Sequence, residues 1–126
     1  MSDDLKTLLH NAKAQRDQRQ EANARARLDA LDEQRRLIRK LASEETYLEL
    51  KAGWLSQLKD ELKGIAEGTR EYLSSESYYD YESWKVPHYL RFAHEAGLVV
   101  TRNDRKETRD ICENLCMETT IWVEIP

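Results

Sequence analysis

The first 46 residues contain no aromatic side chain, no glycine and no proline. All ten aromatics, all four glycines and both prolines come from Tyr47 onward. A segment without aromatics lacks the side chains that dominate core burial, and one without glycine or proline lacks the usual punctuators of turns. The chain therefore reads as a charged helical arm, residues 1–43, followed by a part able to bury a core, residues 44–126. No apolar run approaches the roughly 20 residues that span a bilayer, so no membrane association is expected. The N-terminus, Met-Ser-Asp-Asp, has no apolar signal region. With only Cys112 and Cys116 present, the expected compartment is the cytoplasm, with both thiols reduced.

Recognisable catalytic motifs are also missing. There is no glycine-rich phosphate loop, no His-Glu-x-x-His and no nucleophile elbow. Cys112 and Cys116, together with His88 and His94, supply four zinc ligands in number. However, the x₃ spacing is unlike a zinc knuckle, and two histidines six residues apart on a helix sit on poorly matched faces. A thiol on an apolar helical face is normally inert and packs as a small core residue. No metal, cofactor or enzymatic activity is expected.

Charge of one sign is not dominant, since the net is −4. Residues 10–43 carry nine bases against five acids, a net of +4, and residues 44–85 carry ten acids against five bases, a net of −5. Opposite balances of this kind suit attraction between the two segments or between two copies of the chain. Neither block is pure enough for a dedicated nucleic-acid arm or a DNA mimic.

What is present is mostly helix-forming. Residues 3–42 are rich in Ala, Leu, Gln, Arg, Lys and Glu, all good helix formers, with Ser2 or Asp3 as the expected N-cap. The apolar stripe opens at Leu5, Leu8 and Leu9 and thins to alanines between Ala12 and Ala26. It returns at positions 24, 28, 31, 38 and 42, a coiled-coil seam interrupted by Arg35. A continuous helix here is about 60 Å long at about 1.5 Å per residue and needs a partner along its seam. The expectation is that it packs along the second helix or pairs with its equivalent in a dimer.

Ser43-Glu44-Glu45 marks a restart, with serine as N-cap and two acids in the first turn. The second helix is expected to run to about Leu73, with Gly64 and Gly68 marking a close helix crossing. Residues 74–85 read as a connection rich in serine, acid and aromatics. Val86-Pro87 starts a third helix that Gly97 stops. Leu98–Thr101 reads as a strand, residues 105–117 as a short helix with Ile111, Cys112, Leu115 and Cys116 inward, and Thr119–Ile125 as a second strand. The fold expected is mainly α, with a small C-terminal α+β element.

The order helix, glycine, strand, insertion, strand from Pro87 to Ile125 resembles the back half of a winged helix-turn-helix. In that arrangement a recognition helix precedes a β-hairpin that touches DNA. The resemblance implies a dimeric DNA-binding transcriptional regulator, but the basic residues offered on the helix are only Arg91 and His88. Around the insertion, Asp104, Glu107 and Asp110 offset Arg102, Arg105, Lys106 and Arg109. Since phosphate contacts dominate DNA affinity, nucleic acid is the second reading. The first is a non-catalytic protein-binding module, an adaptor, regulator or inhibitor of a larger assembly, of a kind frequent in bacteria and bacteriophages. Its expected contacts are Arg16, Arg19, Arg25 and Arg27 on the arm, with Tyr78, Tyr79 and Tyr81 on an exposed aromatic-acidic loop. Its expected partner is another protein or a second copy of the chain.

Overall fold

The computed structural model describes residues 2–126. Ser2 and Asp3, expected to cap the first helix, lie outside the residues whose side chains are described. The chain forms two compact units, Met1–Lys40 and Leu41–Pro126. It is mainly α, with a small antiparallel sheet after the helices.

The first unit is one helix, α1 (Ser2–Leu41). Its composition favours helix throughout, and Arg39 and Lys40 in its last turn complement the negative end of the macrodipole. Leu5, Leu8, Leu9, Leu28, Leu31, Leu37 and Ile38 are all exposed along it.

The second unit begins with α2 (Glu44–Glu67). Ser43 takes an extended backbone, and its hydroxyl accepts the Thr46 amide at 3.2 Å, with Glu44 and Glu45 in the first turn. This is the restart expected from the sequence. The helix ends six residues before Leu73. Gly68 adopts φ +79°, the left-handed conformation that favours glycine, and the Thr69 amide returns to the Gly64 carbonyl at 2.9 Å. Gly64 marks no helix crossing: a Cβ there would lie 3.2 Å from the Arg70 Cβ and 3.3 Å from the Thr69 hydroxyl. The glycine makes room for the chain to fold back over its own helix end.

Residues 74–85 are more ordered than a connection. They contain β1 (Glu76–Tyr79), a 3₁₀ turn (Asp80–Glu82) and the start of α3 (Lys85–Glu95). Gly97, at φ +77°, closes α3, and the Leu98 amide reaches back to the Ala93 carbonyl at 2.9 Å. Next come β2 (Val99–Arg109) and β3 (Leu115–Glu124), joined by a tight turn. The helix expected over residues 105–117 does not form. Arg105–Arg109 pair with Leu115–Thr119 instead. The Asp110 carboxylate ties the turn by accepting the amides of Cys112 and Asn114, both at 2.9 Å. Ile111 and Leu115, four apart, imitate a helical face in sequence, but the backbone ladder overrides that local pattern.

The sheet order is β1-β3-β2, all antiparallel. β3 is central, so Thr120 is buried as well as Ile121 and Val123. The core joins these to Tyr47 and Leu58 of α2, Tyr78 of β1, and Tyr89, Phe92 and Ala93 of α3. Trp54 packs edge-on to Tyr89, with ring centroids 5.2 Å apart, and also meets Phe92 at 5.7 Å. Trp84 is half-buried with its ring edge-on to His88. A direct hairpin follows α3, with strands longer than the sequence suggested.

Candidate interaction surfaces

The residues proposed to touch DNA from α3 are engaged elsewhere. The Arg91 guanidinium donates to both Glu44 carboxylate oxygens at 2.5 and 2.9 Å and to Glu95 at 2.9 Å. It also lies 3.9 Å from the centre of the Tyr47 ring. The Tyr47 hydroxyl donates to Glu95 at 2.7 Å. This bond, followed by Arg91, holds the Glu95 carboxyl down to about 2. Burial and the same bond push the Tyr47 phenol up to about 12. The side chains thus clamp the start of α2 to α3, and bidentate pairing fixes Arg91 in one geometry. His88 is buried, and its Nε2 donates to the Leu41 carbonyl at 2.7 Å, because a carbonyl can only accept. The ring satisfies a carbonyl at the end of α1 that has no helical partner. Lys85, the one lysine of α3, pairs with Glu82 at 3.5 Å and lies against the Trp84 ring, and His94 in the last turn is exposed.

The three arginines of the hairpin are similarly occupied. Arg102 is paired with Asp104 and stacked 4.4 Å from the Trp122 ring. Arg105 faces Asp80 at 3.5 Å, Lys106 is in register with Glu118, and Arg109 donates to the Glu113 carbonyl at 2.9 Å. Across residues 41–126 there are ten bases and seventeen acids, a net of −7.

The aromatic segment divides. Tyr78 does not belong to an exposed loop. It is a buried residue of β1, 6.5 Å from the Tyr89 ring, with its hydroxyl donating to Glu76 at 3.3 Å. Strand alternation sends Tyr78 inward with Thr119 and leaves Tyr79 opposite Glu118 on the other face. Tyr79 is half-buried and meets Tyr81 at 5.7 Å, and Tyr81 is 64% exposed. Partial burial, then the nearby Glu82 and Asp110 carboxylates, raise the Tyr81 phenol. Asp80 fastens this corner to the hairpin by accepting the Met117 amide at 2.9 Å. The Tyr79–Tyr81 pair therefore lies beside the distal half of the hairpin. There Ile111 is 96% exposed and Leu115 is 61% exposed.

The expectation missed Ile111 and Leu115, which it turned inward on a helix. Cys112 also faces solvent at the turn, and Cys116 is half-buried on β3. The Cys116 thiol is pushed up, by burial first and then by Asp110 and Asp80, the opposite of an activated nucleophile. No group of three metal-ligating side chains occurs among the described residues. No helix among them is long and apolar enough to cross a membrane.

On the arm, Arg16 pairs weakly with Asp17 at 3.4 Å, and Arg19, Arg25 and Arg27 are exposed. At about 100° per residue, Arg16, Arg19 and Arg27 fall on one side of α1 and Arg25 on the other. The four arginines do not form one contact face. No protein-family model matches the chain, and neither the curated proteins nor the solved structures give a match.

Proposed function

We propose that the protein is a non-catalytic protein-binding module whose contact surface is the distal half of the β2–β3 hairpin with the Tyr79–Tyr81 pair beside it. The observation that carries this reading is the exposure of Ile111 and Leu115 at the distal end of the hairpin and of Tyr81 beside it. Large apolar and tyrosine side chains held on a rigid hairpin lose little entropy on docking and supply most of the contact energy in protein interfaces. The arginines of α1 offer a second, polar contact to an acidic partner. An adaptor, regulator or inhibitor of a larger assembly uses surfaces of this type.

The test is capture of partners by the full-length chain with chemical crosslinking, set beside Tyr81→Ala and Ile111→Ser. Both positions are exposed, so both variants keep the fold. A partner retained by the native chain and lost from both variants supports the reading. A captured set indifferent to both removes it.

The winged-helix-like connectivity favours a second reading, a DNA-binding regulator using the same hairpin. The net charge of −7 on residues 41–126 and the internal engagement of Arg91 weigh against it. Fluorescence polarisation with random-sequence duplex at low salt separates the two. Binding in the micromolar range that falls steeply with salt supports DNA, and no binding leaves the protein-docking reading.

A further inference from the structure

Outside the hairpin, α2 carries a second apolar feature that the core uses only at Leu55. Leu48, Ala52, Leu55, Lys59, Leu62 and Ala66 follow one another at spacings of four and three, the seam of a coiled coil. Leu48 is 53% and Leu62 37% exposed, Ala52, Lys59 and Ala66 are exposed, and Leu55 is half-buried at the core margin. The seam runs along the shoulder of α2, beside the face that Tyr47 and Leu58 turn into the core.

We propose that this seam pairs with the same seam of a second copy of the chain, antiparallel, about a two-fold axis near Gln57. Two features of the sequence on this helix support the arrangement. The first is size. In antiparallel register Leu48 meets Ala66 of the other copy and Ala52 meets its Leu62, so every leucine at the ends of the seam faces an alanine. At the centre Leu55 lies against the aliphatic stem of Lys59, whose ammonium reaches solvent. A parallel pairing stacks Lys59 on Lys59 and leaves the alanine layers empty.

The second feature is charge. The residues that flank the seam on its solvent side are Glu49, Ser56 and Lys63. All three are exposed, and neither charged one has an ion pair among the described residues. The same antiparallel register sets Glu49 against Lys63 of the other copy, twice by symmetry, and Ser56 against Ser56 at the axis. The seam of α1 fails this test. Antiparallel self-pairing through positions 24, 28, 31, 35, 38 and 42 sets Arg25 against Arg39 and Asp32 against Asp32. The second copy is therefore matched to α2 by charge, and this holds whatever partner the hairpin takes.

The experiment is sedimentation velocity on the full chain over a wide concentration range, with circular dichroism confirming helix content in each variant. The native chain is expected to dimerise reversibly. Glu49→Lys and Lys63→Glu each weaken the dimer at least several-fold, and the double exchange restores it. Positions 49 and 63 are 14 residues apart on one helix, about 21 Å, so restoration cannot arise within one chain. Independently, Ser56→Cys in a chain with Cys112→Ser and Cys116→Ser forms a disulfide-linked dimer on mild oxidation, and Gln57→Cys in that background does not. A chain that stays monomeric throughout overturns the proposal. So does a dimer that survives both charge reversals and is lost with Leu28→Glu/Leu31→Glu.

Discussion

The arm and the body share helix-forming residues and differ in what those residues bury. Leu28, Leu31 and Ile38 of α1 are more than two-fifths exposed, whereas Tyr47, Phe92 and Ile121 of the body are at or near zero. A helix of good formers is marginal in water when nothing packs against it. The body adds long-range aromatic packing, a three-stranded ladder and the Arg91 clamp. The comparison teaches that propensity writes the helix, and burial decides how firmly it is held.

Substitutions in the two units are expected to differ in cost accordingly. The largest effect is expected for Phe92→Ala, which empties space between Trp54 and Tyr89 and costs about 3–5 kcal/mol. The readout is the urea midpoint followed by tryptophan fluorescence, because all three tryptophans lie in the body. Gly68→Ala forces a side chain into the left-handed region and costs roughly 1–2 kcal/mol in the same assay. Asp110→Ala removes the acceptor of two turn amides and costs about 1 kcal/mol, visible as faster amide exchange at Cys112 and Asn114. The smallest effect is expected for Leu28→Ala on the arm, within about 0.5 kcal/mol at the body's midpoint. A midpoint shift from Leu28→Ala as large as that from Phe92→Ala would dissolve the two-unit division.

The clamp at Arg91 gives the body a pH signature. Glu95 ionises near 2 in the folded chain and near 4.5 when unfolded. Its contribution is therefore present above about 4.5 and is lost as pH falls through the folded value. Tyr47 runs the other way. Its folded value of about 12 lies above the unfolded 10, so its contribution is present below 10 and is lost as pH rises toward 12. Thermal melts across pH should show the body weakening in both windows. Glu95→Gln should flatten the acid limb, and an unchanged acid limb would show that Glu95 is not the group responsible.

Much of this architecture was legible locally. Ser43 followed by two acids gave the start of α2, and Gly97 gave the end of α3, because caps are decided by a few adjacent residues. The alternation of Ile121 with Thr120 and Trp122 gave β3. β1 was not legible, because its partner in β3 lies 40 residues away and Glu-Ser-Tyr-Tyr has little strand signal by itself. The distal hairpin was misread because the spacing of Ile111 and Leu115 fits a helix as well as a turn. The candidate site followed these errors. Tyr78 went inward with the strand, Ile111 and Leu115 went outward with the turn, and of the three tyrosines Tyr81 is the exposed one.

The sequence alone wrote helix into the stretch before Tyr47, because with no aromatic, glycine or proline it holds little else, and Ser43 breaks that stretch into the end of α1 and the start of α2. It also determined the charge balance and the four-three seams, since these are sums and spacings along the chain. Only the tertiary structure decided which aromatics are core and which stay exposed. It also decided that Arg91 meets Glu44 and Glu95 and that His88 meets the Leu41 carbonyl. Those outcomes depend on pairings between residues far apart in sequence, and local pattern carries no information about which distant group will satisfy a side chain.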